Sequence, residues 1–230
     1  MSATIFDILG TVSDLGWNSE KDFSLGPGQA VSPKKLIAQP EWSLYSLDLA
    51  KGLAWFVELP PGVDLSASVF AFRDQRLLAR RLLEVSLDDL VEISTQIPLP
   101  AKLILVFSIG RCGSTLVSHV LNTSPRVWGL SEPIAFPRLI MTNYNSGVRL
   151  AAPREKMVEL IRACTRLQFR PPAGSGRDVF AIKFHSQCLF QADCTLRPFP
   201  RPLSCSFTAT LSVGRRAGIR WRRSMATPPS

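Results

Sequence analysis

Apolar and polar positions along the chain follow one habit before residue 97 and another after residue 102. In the first stretch, EWSLYSLDLAKGLAWFVEL (41–59) mixes aromatic and aliphatic residues around Lys51-Gly52. That pattern predicts a β-hairpin, with Gly52 supplying the positive φ of the turn. SASVFAFRDQRLLARRLLEV (66–85) places Phe70, Leu77, Leu78, Leu82 and Leu83 mostly on one helical face, which predicts a helix. SLDDLVEIS follows as a short helix with Ser86 as its N-cap. Residues 1–35 open on a short amphipathic stretch and turn polar and Gly/Pro-rich (SLGPGQAVSPKK), so they read as a leader, partly disordered, rather than core.

IPLPAK (97–102) marks a linker, and solid apolar runs begin after it. KLILVFSI (102–109) is apolar nearly throughout, as a parallel strand covered on both faces would be. STLVSHVLNTSP (114–125) predicts a helix that Pro125 cannot continue, and RVWGL a second short strand. PIAFPRLIM and PREKMVELIRACTRLQF (153–169) predict helices, and DVFAIKF (178–184) a further strand after the loop PPAGSG. Alternating strands and helices predict an α/β fold: a P-loop-type parallel sheet flanked by helices, preceded by a small α+β module. The expected divisions are a leader (1–35), the α+β module (36–98), a nucleotide-binding half-domain (99–193) and an irregular basic tail (194–230). No internal repeat is visible.

Composition changes this picture in one place. The net charge of +9 invites a nucleic-acid reading, but residues 194–230 hold seven arginines and no acidic residue. The remainder carries 20 basic against 18 acidic residues, so the folded part is nearly neutral. The basic tail, with Trp221 among Arg220, Arg222 and Arg223, leaves open a non-catalytic protein that binds nucleic acid or acidic lipid. Pro198, Pro200 and Pro202 alternate, which opposes both helix and ladder, so no regular element is expected in the tail. Five scattered cysteines form no CxxC pair, and His119 and His185 lie far apart, so no metal site is expected. Unpaired thiols, no signal-like N-terminus and no membrane-length apolar run make a soluble cytoplasmic protein the expectation.

The candidate chemistry sits between the first solid strand and its helix. Gly110-Arg111-Cys112-Gly113-Ser114-Thr115 leaves backbone N–H groups free at the positive end of a helix dipole. The glycines let an anion approach those amides, Arg111 adds a cationic fork, and Ser114 and Thr115 add hydroxyls. Such a nest fits a phosphate or sulfate group. The GxxxxGK[ST] lysine is missing because Ser114 follows Gly113, and no GxGxxG is present. A P-loop kinase or NTPase therefore remains as the weaker alternative.

FSIGRCGSTLVSHVLNTSPRVWGLSEP resembles the 5′-phosphosulfate segment of PAPS-dependent sulfotransferases, over roughly residues 102–193. The resemblance implies PAPS (3′-phosphoadenosine 5′-phosphosulfate) as donor, no metal, and an acceptor hydroxyl of unspecified identity. It implies that Gly110, Arg111, Cys112, Gly113, Ser114 and Thr115 hold the phosphosulfate and that Arg111 stabilises the charge of transfer. Glu132 would be the general base and Lys183 would assist the sulfuryl group, with His185 as a substitute base. Glu132 also fits a carboxylate placed by a helix start, Lys183 a strand end, His185 a cap, His119 a packing residue and Cys112 a small residue suited to the turn.

The family's 3′-phosphate arginine and serine find no counterpart along the chain. The abrupt compositional change predicts that residues from about Cys194 onward are a reading-frame or splice product on a truncated sulfotransferase. On that expectation the strand 178–184 lacks a neighbour, folding is marginal and turnover is absent.

Overall fold

The computed structural model describes residues 2–12, 19–109, 112–145, 153–192, 195, 198–199, 203–207 and 220–223. Strands β1 (Ala3–Thr11), β2 (Phe23–Leu25) and β3 (Gln29–Val31) come first, followed by helix α1 (Pro33–Ile37). The expected hairpin is present as β4 (Trp42–Asp48) and β5 (Leu53–Glu58), paired antiparallel. Gly52 at its turn has φ +68°, the left-handed region that glycine enters without steric cost. Helix α2 (Ala71–Leu78), strand β6 (Arg81–Ser86) and helix α3 (Leu87–Ser94) complete this part. Ser86 caps α3, its Oγ accepting from Asp89 N at 3.0 Å.

These strands form an antiparallel sheet in the order β2-β1-β6-β5-β4, with β3 also on β1. Two expectations are corrected here. The helix foreseen over 66–85 ends at Leu78, and its second half is strand β6 between β1 and β5. Leu82, Leu83 and Val85 are fully buried, whereas Leu77 and Leu78 are exposed. Two pairs of leucines five residues apart satisfy a helical face, but burial between two strands, with ladder bonds on both edges, outweighs that local pattern. The stretch read as a leader contributes β1, whose Ala3 and Ile5 are buried and whose Thr4–Asp7 pair with Glu84–Arg81.

The second sheet follows the alternation expected of it: β7 (Lys102–Ser108), α4 (Ser114–Asn122), β8 (Val127–Ser131), α5 (Ala135–Asn145), α6 (Arg154–Gln168) and β9 (Val179–Lys183). A short 3-10 turn, Ser186–Gln191, follows β9. The molecule is thus α/β, with a parallel sheet flanked by helices beside an antiparallel one. The strand order is β11-β10-β7-β9-β8, with β10 (Leu203–Phe207) parallel to β7 and β11 (Arg220–Arg223) antiparallel to β10.

That order corrects two further expectations. Strand β9 does not lack a neighbour, because β7 and β8 flank it on either side. The tail contains two strands, because Pro198, Pro200 and Pro202 all precede β10 and remove no donor from it. The remaining tail residues, apart from 195, 198 and 199, lie outside the described ones.

The expected division at 97–102 does not separate two cores. One buried cluster runs from Ala3, Trp42, Trp55 and Phe56 to Phe107, Phe136, Leu160 and Phe180. Polar contacts cross the same seam. Gln168 Nε2 donates to Leu44 O (2.9 Å) and Arg170 Nη1 to Trp42 O (2.6 Å). Asp64 accepts from Trp128 Nε1 (3.0 Å) and Arg177 Nη1 (2.7 Å). Buried polar groups of one part thus find their partners in the other, as interiors require. No helix among the described residues is long and apolar enough to cross a membrane.

Candidate functional site

Three adjacent parallel strands end on one side of the sheet, and the segments that leave them meet there. The loop after β7 leads into α4, Glu132 comes directly after β8, and Lys183 closes β9. The register sets Lys183 opposite Val106 of β7 and Ser131 of β8. In α/β sheets, ligands bind in such crevices outside the carboxyl ends of the strands. Here the crevice is a cavity of about 340 Å³. Cys112, Gly113, Ser114 and Thr115 line it from the loop, and Glu132 and Lys183 from the neighbouring strands. Gly110 and Arg111 lie outside the described residues.

Gly113 is the N-cap of α4, at φ +81° and with no side-chain cap. A Cβ there would meet no atom within 4 Å, so conformation rather than crowding favours glycine. Leu116 N and Val117 N both donate to Gly113 O (3.0 and 3.4 Å). The amides of Ser114 and Thr115, just before them in the first turn, have no carbonyl partner within the helix. They stand at the dipole's positive end, on the wall of the cavity. Ser108 Oγ donates to Ser114 Oγ (3.0 Å), and this buried bond ties the strand end to the helix start.

Glu132 and Lys183 are bound to each other twice. Glu132 N donates to Lys183 O (2.7 Å), and Lys183 Nζ donates to Glu132 Oε1. The Lys183 side chain is 5% exposed and that of Glu132 15%. Glu132 is also the one non-glycine residue with positive φ (+53°) among those described. A side chain in that region costs roughly 1–2 kcal/mol, and such strain persists where the surroundings over-determine it. Here the ion pair and the backbone bond to Lys183 hold it.

Aromatic packing makes the floor beneath these groups stiff. Phe107 and Phe184 stack at 4.9 Å, and Phe136 meets Phe184 edge-on at 5.3 Å. These rings adjoin Ser108 and Lys183 in sequence, so both residues sit on packed strand ends. Cys188 lies beneath, buried, and burial with the nearby Glu132 carboxylate pushes its thiol up to about 12.

The residues foreseen from sequence therefore converge, apart from those outside the described set. The other two candidates do not join them. His185 caps the 3-10 turn, its Nδ1 accepting from Gln187 N at 3.5 Å. His119, expected to pack, is exposed on α4, because the buried positions of that helix are Ser114 and Ser118. Phe70, Ser108, Ile109 and Ser186 also line the cavity and were not among the site residues expected from sequence. Phe70 comes from the N-terminal part of the chain, and no local motif links it to the loop. No family model, curated protein or solved structure matches the chain.

Proposed function

We propose that the cavity holds the 5′-phosphosulfate of PAPS and is the donor side of a sulfuryl-transfer site. The observation that carries this reading is the meeting of Glu132 and Lys183 with the loop residues Gly113, Ser114 and Thr115 around one cavity. Free amides at a helix start suit an oxyanion, a buried lysine suits the charge of transfer, and a carboxylate suits the proton of an acceptor hydroxyl.

The chemistry balances on these residues. Glu132 takes the proton as the acceptor oxygen forms its bond to sulfur. The bond between sulfur and the bridging phosphate oxygen breaks, and adenosine 3′,5′-bisphosphate leaves with that electron pair. The amides and hydroxyls of Ser114 and Thr115, together with Arg111, stabilise the negative charge. Lys183 first has to exchange Glu132 for the donor, which frees the carboxylate to act as base. Catalysis here is mainly electrostatic positioning, as transfer between two oxygens requires.

Titration calorimetry of the full chain with PAPS, adenosine 3′,5′-bisphosphate and magnesium-ATP tests the reading. PAPS is expected to bind, Lys183→Met to weaken it by on the order of tenfold or more, and magnesium-ATP to bind less well. Cys112 lines the same cavity and is half-buried, so PAPS is also expected to slow its alkylation. Tight magnesium-ATP binding without PAPS binding would instead indicate a P-loop nucleotide enzyme.

A further inference from the structure

A second cavity, of about 820 Å³, lies between α3 and α6. Arg162 and Arg166 of α6 both line it. Four residues apart, they stand one turn above each other on one helix face, where like charges repel. Neither has a carboxylate partner among the described residues. Arg162 donates its Nε to Pro198 O (3.1 Å). The Nε of Arg166 is buried without an acceptor among the described residues. A buried N–H left unpaired is costly and rare, and a missing ion or ligand is one of its ordinary explanations.

The other charges in the groove do not meet this need. Lys156 is taken up by Asp88 (3.0 Å) and Glu159 (3.3 Å), which commits Glu159 as well. Glu155 at the rim is exposed. Two guanidinium groups are left facing a cavity with partly apolar walls, among them Val91 and Val158. The position of Arg166 in the last turn of α6 explains tolerance of a positive charge there, but not a buried Nε without an acceptor.

We infer that this groove is a second oxyanion site, in which Arg162 and Arg166 grip a phosphate- or sulfate-type group carried on a partly apolar body. Planar guanidinium forks match the paired oxygens of such groups, and the volume suits a small organic ligand. The site is separate from the loop cavity, with which it shares no lining residue.

The test is calorimetric titration of the full chain with inorganic pyrophosphate at constant ionic strength, in wild type, Arg162→Met, Arg166→Met and Lys183→Met. Two classes of site are expected in wild type. The two arginine variants should each lose on the order of tenfold in one class, and Lys183→Met should affect only the other. The Arg166 Nε–H resonance of the 15N-labelled protein should shift on saturation of the first class. If Arg166→Met fails to fold, the exposed Arg162 and the Nε–H resonance still decide the matter. The inference is overturned if both arginine variants titrate like wild type, if Lys183→Met removes all binding, or if no saturable binding occurs.

Discussion

Lys183 is a cation almost wholly removed from water, so its partner matters more than its type. Substituting Glu132 by Gln leaves the ammonium without its counter-charge, and breaking such a pair costs about 3 kcal/mol. The double variant Glu132→Gln/Lys183→Met should recover much of that loss, as measured by urea unfolding of the full cycle. Gly129 offers a steric contrast. Its N–H donates to Asn122 Oδ1 (2.7 Å), and its carbonyl accepts from Asn122 Nδ2 (3.1 Å). A Cβ at Gly129 would lie 2.7 Å from Asn122 Oδ1. Gly129→Ala should therefore destabilise by about 1–3 kcal/mol. Gly113→Ala, which meets only the conformational penalty of its φ, should cost roughly 1–2 kcal/mol. The loop glycines and hydroxyls were legible in the sequence, because turn chemistry is local. The pairing of Glu132 with Lys183 was not, because 51 residues separate them and only the strand register sets them side by side.

The elements are joined by a few polar clasps, and Asp64 is the most connected of them. It caps the 3-10 turn Leu65–Ala67 by accepting from Ser66 N (2.9 Å), and it also holds Trp128 of β8 and Arg177. Desolvation pushes its carboxyl up, but hydrogen bonds from Ser66, Trp128 and Arg177 prevail and hold it below the ordinary aspartate range. A lowered folded-state pKa means that its stabilisation is complete above the unfolded value of about 4. That stabilisation is lost as pH falls through the lower folded value. Asp64→Asn should therefore show a shallower acid limb below about pH 4 than wild type, followed by near-UV circular dichroism. Strand β10 makes a different kind of join. A proline at Ser204 should remove a ladder donor from a strand paired on both edges. Hydrogen-exchange protection of Leu105 and Val106 in β7 should then fall, by about tenfold for each 1.4 kcal/mol lost. Most elements from β7 to β9 could be read from apolar runs and caps. The segment 81–86 could not, because leucine pairs fit a helix as well as a doubly flanked strand.

Across the two sheets runs one buried cluster, so a single cooperative unfolding transition is expected. Far-UV and near-UV circular dichroism should give coincident denaturation curves, and two separated transitions would show independent units instead. Local units were written in the order of residues alone: the hairpin at Gly52, the caps, the strand–loop–helix at 102–122 and the glycine and hydroxyls of its turn. These follow from periodicity and backbone preference within about a dozen residues, which no distant contact needs to supply. It took the folded chain to put β9 between β7 and β8, to draw β1 into the core, and to bring Glu132 and Lys183 into one cavity with the loop. Folding also placed Arg162 and Arg166 over a groove that offers them no carboxylate partner among the described residues. Strand order and side-chain company depend on which distant surfaces bury one another, and that free energy is not carried by any one segment.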